Sequence, residues 1–365
     1  MTSRTVEKIL AGLVLVFMVL SITLLIMKYT NWRPTIPSYP TTPAQSITQP
    51  TTQSTHQPEP AKPRPEQIIA NYLREFPVKS EIREKAVSIL REYLGKSSVI
   101  LQDSFSISAG SYERVKLELH SDIIYELVVS VSGSCIGTCD IYLRLVDSDD
   151  RLVQVYTSSG LRVISGYYSY LRINFTLHPL FGEEGVYYLV LDNKYSLITS
   201  KRVYVTLRAY YPSYAFNDEY FEVFVIGHWV SKNVKYISDP YGLEYIAPPN
   251  ETLRVGAGDC DDFAVLLAVL YRSIGLNATV GLIDTNGDKK AEHATALVYF
   301  NASSSEILNR VSKWASVIGV KVNVISYFNA NGGTLLIIDP PMSIDSNNPW
   351  SIYHEPYKLV LIVKP

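Results

Sequence analysis

The chain has 365 residues, more than one average domain, which predicts at least two folded units. Apolar residues make up 47% of it, enough to build buried cores. The net charge of -2 gives no electrostatic reason for a nucleic acid partner. The sequence also has no basic run and no glycine-rich phosphate loop, so these two common signals of nucleic acid and nucleotide binding are missing.

The first distinct segment is an apolar run at residues 9–27 whose only polar side chains are Ser21 and Thr23. As a helix it would extend about 28 Å at ~1.5 Å per residue, close to the hydrocarbon thickness of a bilayer. A small-residue cleavage site does not follow the run, which argues against a cleaved signal peptide. We therefore expect residues 1–32 to form a cytoplasmic tip and an uncleaved transmembrane anchor.

Residues 33–65 are rich in Pro, Thr, Ser and Gln and predict an extended or disordered stalk. Such stalks are typical of outer surfaces, and the chain carries four N-x-[ST] glycosylation acceptors. The acceptors are Asn174, Asn250, Asn277 and Asn301. Together these features predict a single-pass protein of the cell membrane, with the bulk of the chain extracytoplasmic and glycosylated.

The chain has three cysteines. Cys135 and Cys139 are separated by three residues that include a glycine, which would allow a small disulfide in an oxidising compartment. A pair of ordinary thiols is the alternative, and a metal site is disfavoured because no second Cys or His pair lies nearby in sequence. Cys260 is left without a partner in either case.

Helical spacing of apolar residues predicts a helical segment over residues 66–100. From residue 101 the period changes to two, as in "ERVKLEL" and "GVYYLVLD", which predicts a β-sandwich of antiparallel strands over residues 101–212. "DSFSISAGSYERVKLEL" and "GVYYLVLDNKYSLITSKRVYVTL" resemble a GOLD-type β-sandwich. That resemblance implies a binding or spacer module, with an envelope protein or a glycan as its possible partner.

Residues 213–365 show a different order of elements. "NDEYFEVFVIGHWVSKNVKY" predicts a helix capped by Asn217 or Asp218, and a loop through "APPNETLRV" follows it. "CDDFAVLLAVLYRSI" predicts a helix that is apolar nearly all round and therefore buried. Strands are then predicted at "NATVGLID", "HATALVYF" and "GTLLIIDP".

This order, with "GAGDCDDFAVLLAVLYRSIGLNA", "EHATALVYF" and "IIDP", resembles the transglutaminase-like superfamily of papain-fold thiol enzymes. The resemblance implies a catalytic triad of Cys260, His293 and Asp339. A helix N-terminus and an imidazolium both stabilise a thiolate, and a carboxylate fixes the histidine tautomer. Trp229 and Tyr236 are candidate side chains for stabilising the oxyanion.

Cys260 and Asp339 also have non-catalytic interpretations. A free cysteine at a helix start is commonly inert, and an aspartate after a strand is commonly a turn residue. "DTNGDKK" resembles the start of a calcium loop but lacks its glycine and its final glutamate, so a hairpin turn is predicted there. We expect no metal and no cofactor.

The predicted fold class is α+β, with a transmembrane helix, an antiparallel β-sandwich and a papain-like domain. The predicted function is thiol chemistry on amide bonds of a protein or peptide, either hydrolysis or acyl transfer to an amine. The competing function is a non-catalytic cell-envelope binding or assembly protein on the same fold.

Overall fold

The computed structural model describes residues 63–365 apart from residues 136–138, 178–184, 241–244, 346–347 and 353–357. Lys62–Pro365 forms one compact unit. The division of this unit into separate domains remains a prediction. The predicted anchor and most of the predicted stalk lie outside the described residues.

The helices are short and are set mostly by apolar stripes. Apolar side chains at Ile82, Ala86, Ile89 and Leu90 are buried along one face of the second helix, as the helical period predicts. The helices are α1 (Pro65–Glu75), α2 (Ser80–Leu94), α3 (Glu219–Asn233), α4 (Pro249–Val255), α5 (Cys260–Ser273) and α6 (Ser304–Ser316).

The lengths of these helices do not agree with the predicted membrane topology. The longest have 15 residues and extend about 22 Å at ~1.5 Å per residue, short of the ~30 Å of a bilayer core. Within the described part of the chain, no helix is both long enough and apolar enough to cross a membrane. The structure thus does not support the predicted transmembrane helix, the membrane contact of residues 9–27 or the single-pass localisation, and the fold is corrected to mixed α/β with antiparallel sheets.

Among the described residues from 97 to 210, ten strands form two antiparallel sheets, named here the two-sheet region. Their sequences alternate, and in β10 every second side chain is buried. One sheet has the order β1-β10-β3-β8-β5-β6 and the other β2-β9-β4-β7. The strands are β1 (Ser97–Ile107), β2 (Tyr112–Leu119), β3 (Ile124–Ser132), β4 (Ile141–Val146), β5 (Gln154–Thr157), β6 (Gly160–Val163), β7 (Ser165–Tyr168), β8 (Tyr170–Leu177), β9 (Gly185–Asp192) and β10 (Lys201–Tyr210).

The remaining strands belong mostly to a five-stranded antiparallel sheet with the order β15-β16-β14-β13-β19. α5 packs against β13 and β14, and its side chains from Phe263 to Tyr271 are all buried, as its apolar sequence predicts. The strands are β11 (Lys235–Tyr236), β12 (Ala257–Gly258), β13 (Ala278–Asp284), β14 (His293–Phe300), β15 (Tyr327–Ala330), β16 (Gly333–Ile338), β17 (Ser343–Asp345), β18 (Asn348–Ile352) and β19 (Lys358–Val363).

One segment differs from the sequence prediction. "PNETLRV", predicted as part of a loop, forms the short helix α4. Pro249 occupies its first position, where the missing N–H removes no helical hydrogen bond. Gly256 ends it with φ of 69°, a left-handed conformation that suits glycine. The helix thus delivers the chain directly to the residues before Cys260.

Candidate functional site

Cys260 is the first residue of α5, and a capping box holds it there. The Asp259 carboxylate accepts hydrogen bonds from the backbone N–H groups of Asp261 and Asp262, at 3.2 and 3.4 Å. The Asp262 carboxylate accepts in return from the Asp259 N–H at 3.3 Å. Asp259 and Asp262 thus satisfy exposed donors of the helix start, whereas the Asp261 carboxylate lies 3.8 Å from the Cys260 sulfur and accepts from the thiol.

Asp262 also connects the helix start to a distant loop. Its side chain is buried, and its second oxygen accepts from the Ala247 N–H at 2.7 Å. Burial raises the pKa of this carboxyl to about 6, although the N–H groups of Ala247 and Asp259 act in the opposite direction. Asp262 therefore links the chain before α4 to the residue next to the thiol.

The backbone before Cys260 is fixed on its other side by a parallel pairing of β11 and β12. The N–H of Lys235 donates to the Gly256 carbonyl, and that of Ile237 donates to the Gly258 carbonyl, both at 2.9 Å. A Cβ on Gly258 would lie 2.5 Å from both Cβ and Oδ2 of Asp262. Gly258 is thus required by the close approach of the Asp262 side chain.

His293 and Asp339 meet because β14 and β16 are neighbours in the sheet. Ala296 pairs with Ile338, so the start of β14 lies beside the end of β16. His293 Nε2 lies 2.6 Å from Asp339 Oδ2, and the two side chains are only 9% and 1% exposed. A carboxylate in this position fixes the orientation and the tautomer of the ring.

The Cys260 side chain is close enough to the His293 imidazole to help raise its pKa. Burial alone would lower the pKa of His293, but hydrogen bonds and charge from Asp339 and Cys260 outweigh burial and raise it to about 10. The raised pKa of His293 favours the protonated ring at neutral pH. The predicted residues Cys260, His293 and Asp339 thus lie next to one another.

A cleft of about 580 Å³ opens over this contact. Its volume lies within the range of roughly 300–1,000 Å³ that is typical of small-molecule sites. Cys260 and His293 both line it, so the thiol faces a space that a substrate segment could occupy. The residues around it are Pro65, Glu66, Ile69, Asp259, Asp261, Leu282, Ala291, Glu292, Val360 and Leu361.

Two groups of side chains in the described residues are close enough together to hold a metal ion: Asp259, Cys260 and Asp261, and a second group in the hairpin between β13 and β14. The first group is the capped helix start. In the second, the buried Asp284 carboxylate accepts from the N–H groups of Asn286, Gly287 and Lys289. These bonds account for the second group as a hairpin turn.

Residues 214–315 match the model of the transglutaminase-like superfamily. The matched range contains Cys260 and His293 and ends before Asp339.

Residues 214–315 form a transglutaminase-like domain.

The predicted resemblance is thereby confirmed, and the match supports a family of thiol enzymes. A comparison with curated proteins found no match to the chain.

Three solved structures were also compared with the chain. A candidate cysteine protease from Cytophaga hutchinsonii is 15% identical, with 56% of this chain and 75% of that chain covered and a TM-score of 0.19. A family 16 carbohydrate binding module is 16% identical, with 28% and 74% covered and a TM-score of 0.18. An arabinose-bound GH51 α-L-arabinofuranosidase is 10% identical, with 42% and 28% covered and a TM-score of 0.22. TM-scores this low carry no argument about this chain.

The two predicted oxyanion residues are not among those that line the cleft beside the transglutaminase-like domain's thiol. The Trp229 ring packs under the Lys85 ammonium at 4.2 Å, between α3 and α2. Tyr236 pairs with Gly258 through the backbone, and its residue is 53% exposed. The structure does not bring either side chain into the cleft, and their role stays a prediction.

The other predicted sites lie outside the cleft. Cys135 and Cys139 form a disulfide. The four acceptor residues Asn174, Asn250, Asn277 and Asn301 are all exposed, and their glycosylation stays a prediction. A glycan partner of the two-sheet region is not supported by the comparisons.

Sequence reasoning missed two walls of the cleft. Pro65, Glu66 and Ile69 come from α1, whose first residue fell in the predicted stalk, and Val360 and Leu361 come from β19. Both segments lie outside the family match. The alternation in "KLVLIV" is a local signal for a strand, but nothing local assigns that strand to the edge next to β13.

Proposed function

We propose that the protein is a thiol enzyme that acts on amide bonds of proteins or peptides, with Cys260 as its nucleophile. The observation that carries this proposal is the contact of Cys260 with a buried imidazolium that is oriented by a carboxylate, at the floor of a cleft. An inert structural cysteine needs neither the buried charge pair nor the open space above it.

In the proposed reaction the Cys260 sulfur attacks the carbonyl carbon of the amide. The bond between carbon and nitrogen breaks, and the His293 imidazolium gives its proton to the leaving amine. A thioester is left on Cys260, and either water or an amine then attacks it and releases the Cys260 thiolate. His293 takes the proton of the attacking group, while Asp339 holds the ring throughout. The backbone N–H of Cys260 is the proposed donor to the oxyanion.

The decisive test measures alkylation of Cys260 by iodoacetamide in the native protein between pH 6 and 7. Modified peptides are identified by mass spectrometry. We expect the wild-type thiol to react, and the His293→Ala variant to react at least tenfold more slowly because the positive neighbour is gone. A thiol that reacts only after unfolding, or equal rates in the two proteins, would refute the proposal.

Dimethylated casein separates the two outcomes of the thioester. New amino termini indicate hydrolysis, whereas incorporation of dansylcadaverine indicates acyl transfer. Both signals should be absent from the Cys260→Ser variant. This arm assigns the acceptor, and the alkylation arm tests the nucleophile.

A further inference from the structure

Three aspartates lie next to Cys260 in the sequence, and their side chains make different contacts. Those of Asp259 and Asp262 accept hydrogen bonds from backbone N–H groups at the start of α5. The Asp261 side chain reaches the thiol, because its Oδ1 lies 3.8 Å from the Cys260 sulfur. Cys260 and Asp261 are both half-buried, and both line the cleft. Asp261 therefore places a carboxylate in direct contact with the proposed nucleophile.

Asp261 and His293 act on the sulfur in opposite directions. Burial would lower the pKa of His293, but Asp339 and Cys260 raise it to about 10, which favours a positive ring. A positive ring stabilises a thiolate. An aspartate is ordinarily ionised above about pH 5. Its negative charge, 3.8 Å from the sulfur, disfavours a second negative charge there. The reactivity of Cys260 thus depends on the balance between these two neighbours.

The other titratable groups of the cleft do not cancel the charge of Asp261. Glu66 lines the cleft from α1, Asp259 from the start of α5, and Glu292 from the residue before β14. All three are acids, and the lining residues in the described structure include no lysine or arginine. The side chains that β13 and β19 contribute to the lining are apolar. Among these lining groups, the imidazole of His293 is the one that can oppose Asp261.

A carboxylate beside a thiolate has two effects on its chemistry. The thiolate becomes less abundant at low pH, because its formation brings two negative charges together. Each thiolate that does form is a stronger nucleophile, because nucleophilicity rises with basicity, with a Brønsted coefficient of about 0.4–0.5. A thiolate stabilised by an imidazolium alone would be abundant but less reactive, and a neighbouring carboxylate counteracts that loss.

We propose that Asp261 tunes the nucleophile, because it opposes ionisation of the Cys260 thiol and raises the reactivity of the thiolate that forms. This inference rests on the proposed function and adds to it a catalytic residue that touches the reacting sulfur. It also gives the acid that directly follows the cysteine a role other than helix capping.

The experiment measures the rate at which Cys260, the free cysteine, reacts with 2,2′-dithiodipyridine between pH 5 and pH 9.5. The thiolate attacks this uncharged disulfide, forms a mixed disulfide and releases pyridine-2-thione, whose absorbance is followed. At the low end of the range, Asp261→Asn should react about tenfold faster than wild type, because more thiolate is present. At the high end, where the thiol is ionised in both proteins, it should react about threefold more slowly, because its thiolate is less basic. The two curves should therefore cross.

Three further variants make the result specific to the charge of Asp261. Asp261→Ser is a second neutral variant, and its curve should cross that of wild type in the same way. Asp261→Glu keeps the charge and should return the rates at both ends of the range toward wild type. Glu81→Gln removes an exposed acid from the first turn of α2, and its curve should coincide with that of wild type. Circular dichroism and urea unfolding check that each variant is folded.

Two outcomes would overturn the inference. If the folded neutral variants follow the wild-type curve, or are displaced from it in one direction over the whole range, the inference fails and the thiol enzyme stands. If the wild-type thiol reacts only after unfolding, the proposed function fails and the inference fails with it.

Discussion

Replacing Asp339 with Asn should change how the stability of this protein depends on pH. The substitution keeps the size of the side chain and removes the charge that lies 2.6 Å from His293 Nε2. In the folded wild type the pKa of His293 is raised from 6.5 to about 10. A raised pKa means that the folded state binds the proton more tightly than the unfolded chain does.

The magnitude follows from this shift. The stabilisation is fully present below pH 6.5 and is lost as the pH rises through 10. At ~1.4 kcal/mol for each pKa unit, the three units between pH 7 and 10 correspond to about 4 kcal/mol as an upper limit. Part of the shift comes from Cys260, so Asp339 accounts for a share of that sum. We expect the variant to be about 2–3 kcal/mol less stable at pH 7 and nearly equal to wild type at pH 10.

The assay is urea unfolding of wild type and Asp339→Asn at pH 6, 7, 8.5 and 10, followed by circular dichroism. Glu113→Gln, at an exposed position of the two-sheet region, controls for the loss of one negative charge. The two free-energy curves should converge as the pH rises. Parallel curves would refute the reasoning, because they would show that the imidazolium does not contribute to folding through Asp339.

Three further predictions follow from the geometry. Gly258→Ala should lower the free energy of unfolding by about 1–3 kcal/mol and slow the alkylation of Cys260, because the new Cβ would lie 2.5 Å from Asp262. The control is Gly95→Ala, where the nearest atom to the new Cβ is 3.7 Å away. This variant should change neither the free energy of unfolding nor the alkylation rate. Trp314→Ala should cost about 3–5 kcal/mol in denaturant unfolding, because the ring is 1% exposed and its N–H donates to the Asp218 carboxylate at 3.0 Å. Unfolded protein should show one alkylatable thiol before reduction and three after it by mass spectrometry, and three thiols without reductant would contradict the disulfide.

Much of the local structure near the thiol follows from the sequence. The aspartates before an apolar run predict the capped start of α5, and the family resemblance implied that His293 and Asp339 lie together, as β14 and β16 place them. The tie from Asp262 to Ala247 could not be predicted, because it joins residues across a loop with no pattern of its own. The walls from α1 and β19 could not be predicted either, since pairing between distant segments leaves no local signal.

The differences between prediction and structure have equally local causes. Pro65 is the last residue of the predicted stalk and the first residue of α1, since proline is well tolerated in the first turn of a helix. The prolines of "APPNETLRV" likewise predict a loop, but Pro249 begins the helix α4. The predicted membrane anchor rested on the apolar run and on the lack of a cleavage site after it, and the described helices give it no support.

The walls of the cleft also determine when the site can form during synthesis. Val360 and Leu361 follow Asp339 in the chain, while Ile69 precedes Cys260 by about two hundred positions. A nascent chain that already contains Cys260, His293 and Asp339 therefore still lacks one side of the cleft. Translation must pass residue 361 before both walls can enclose the thiol. An incomplete chain on the ribosome would thus carry the Cys260 thiol without one wall of its cleft.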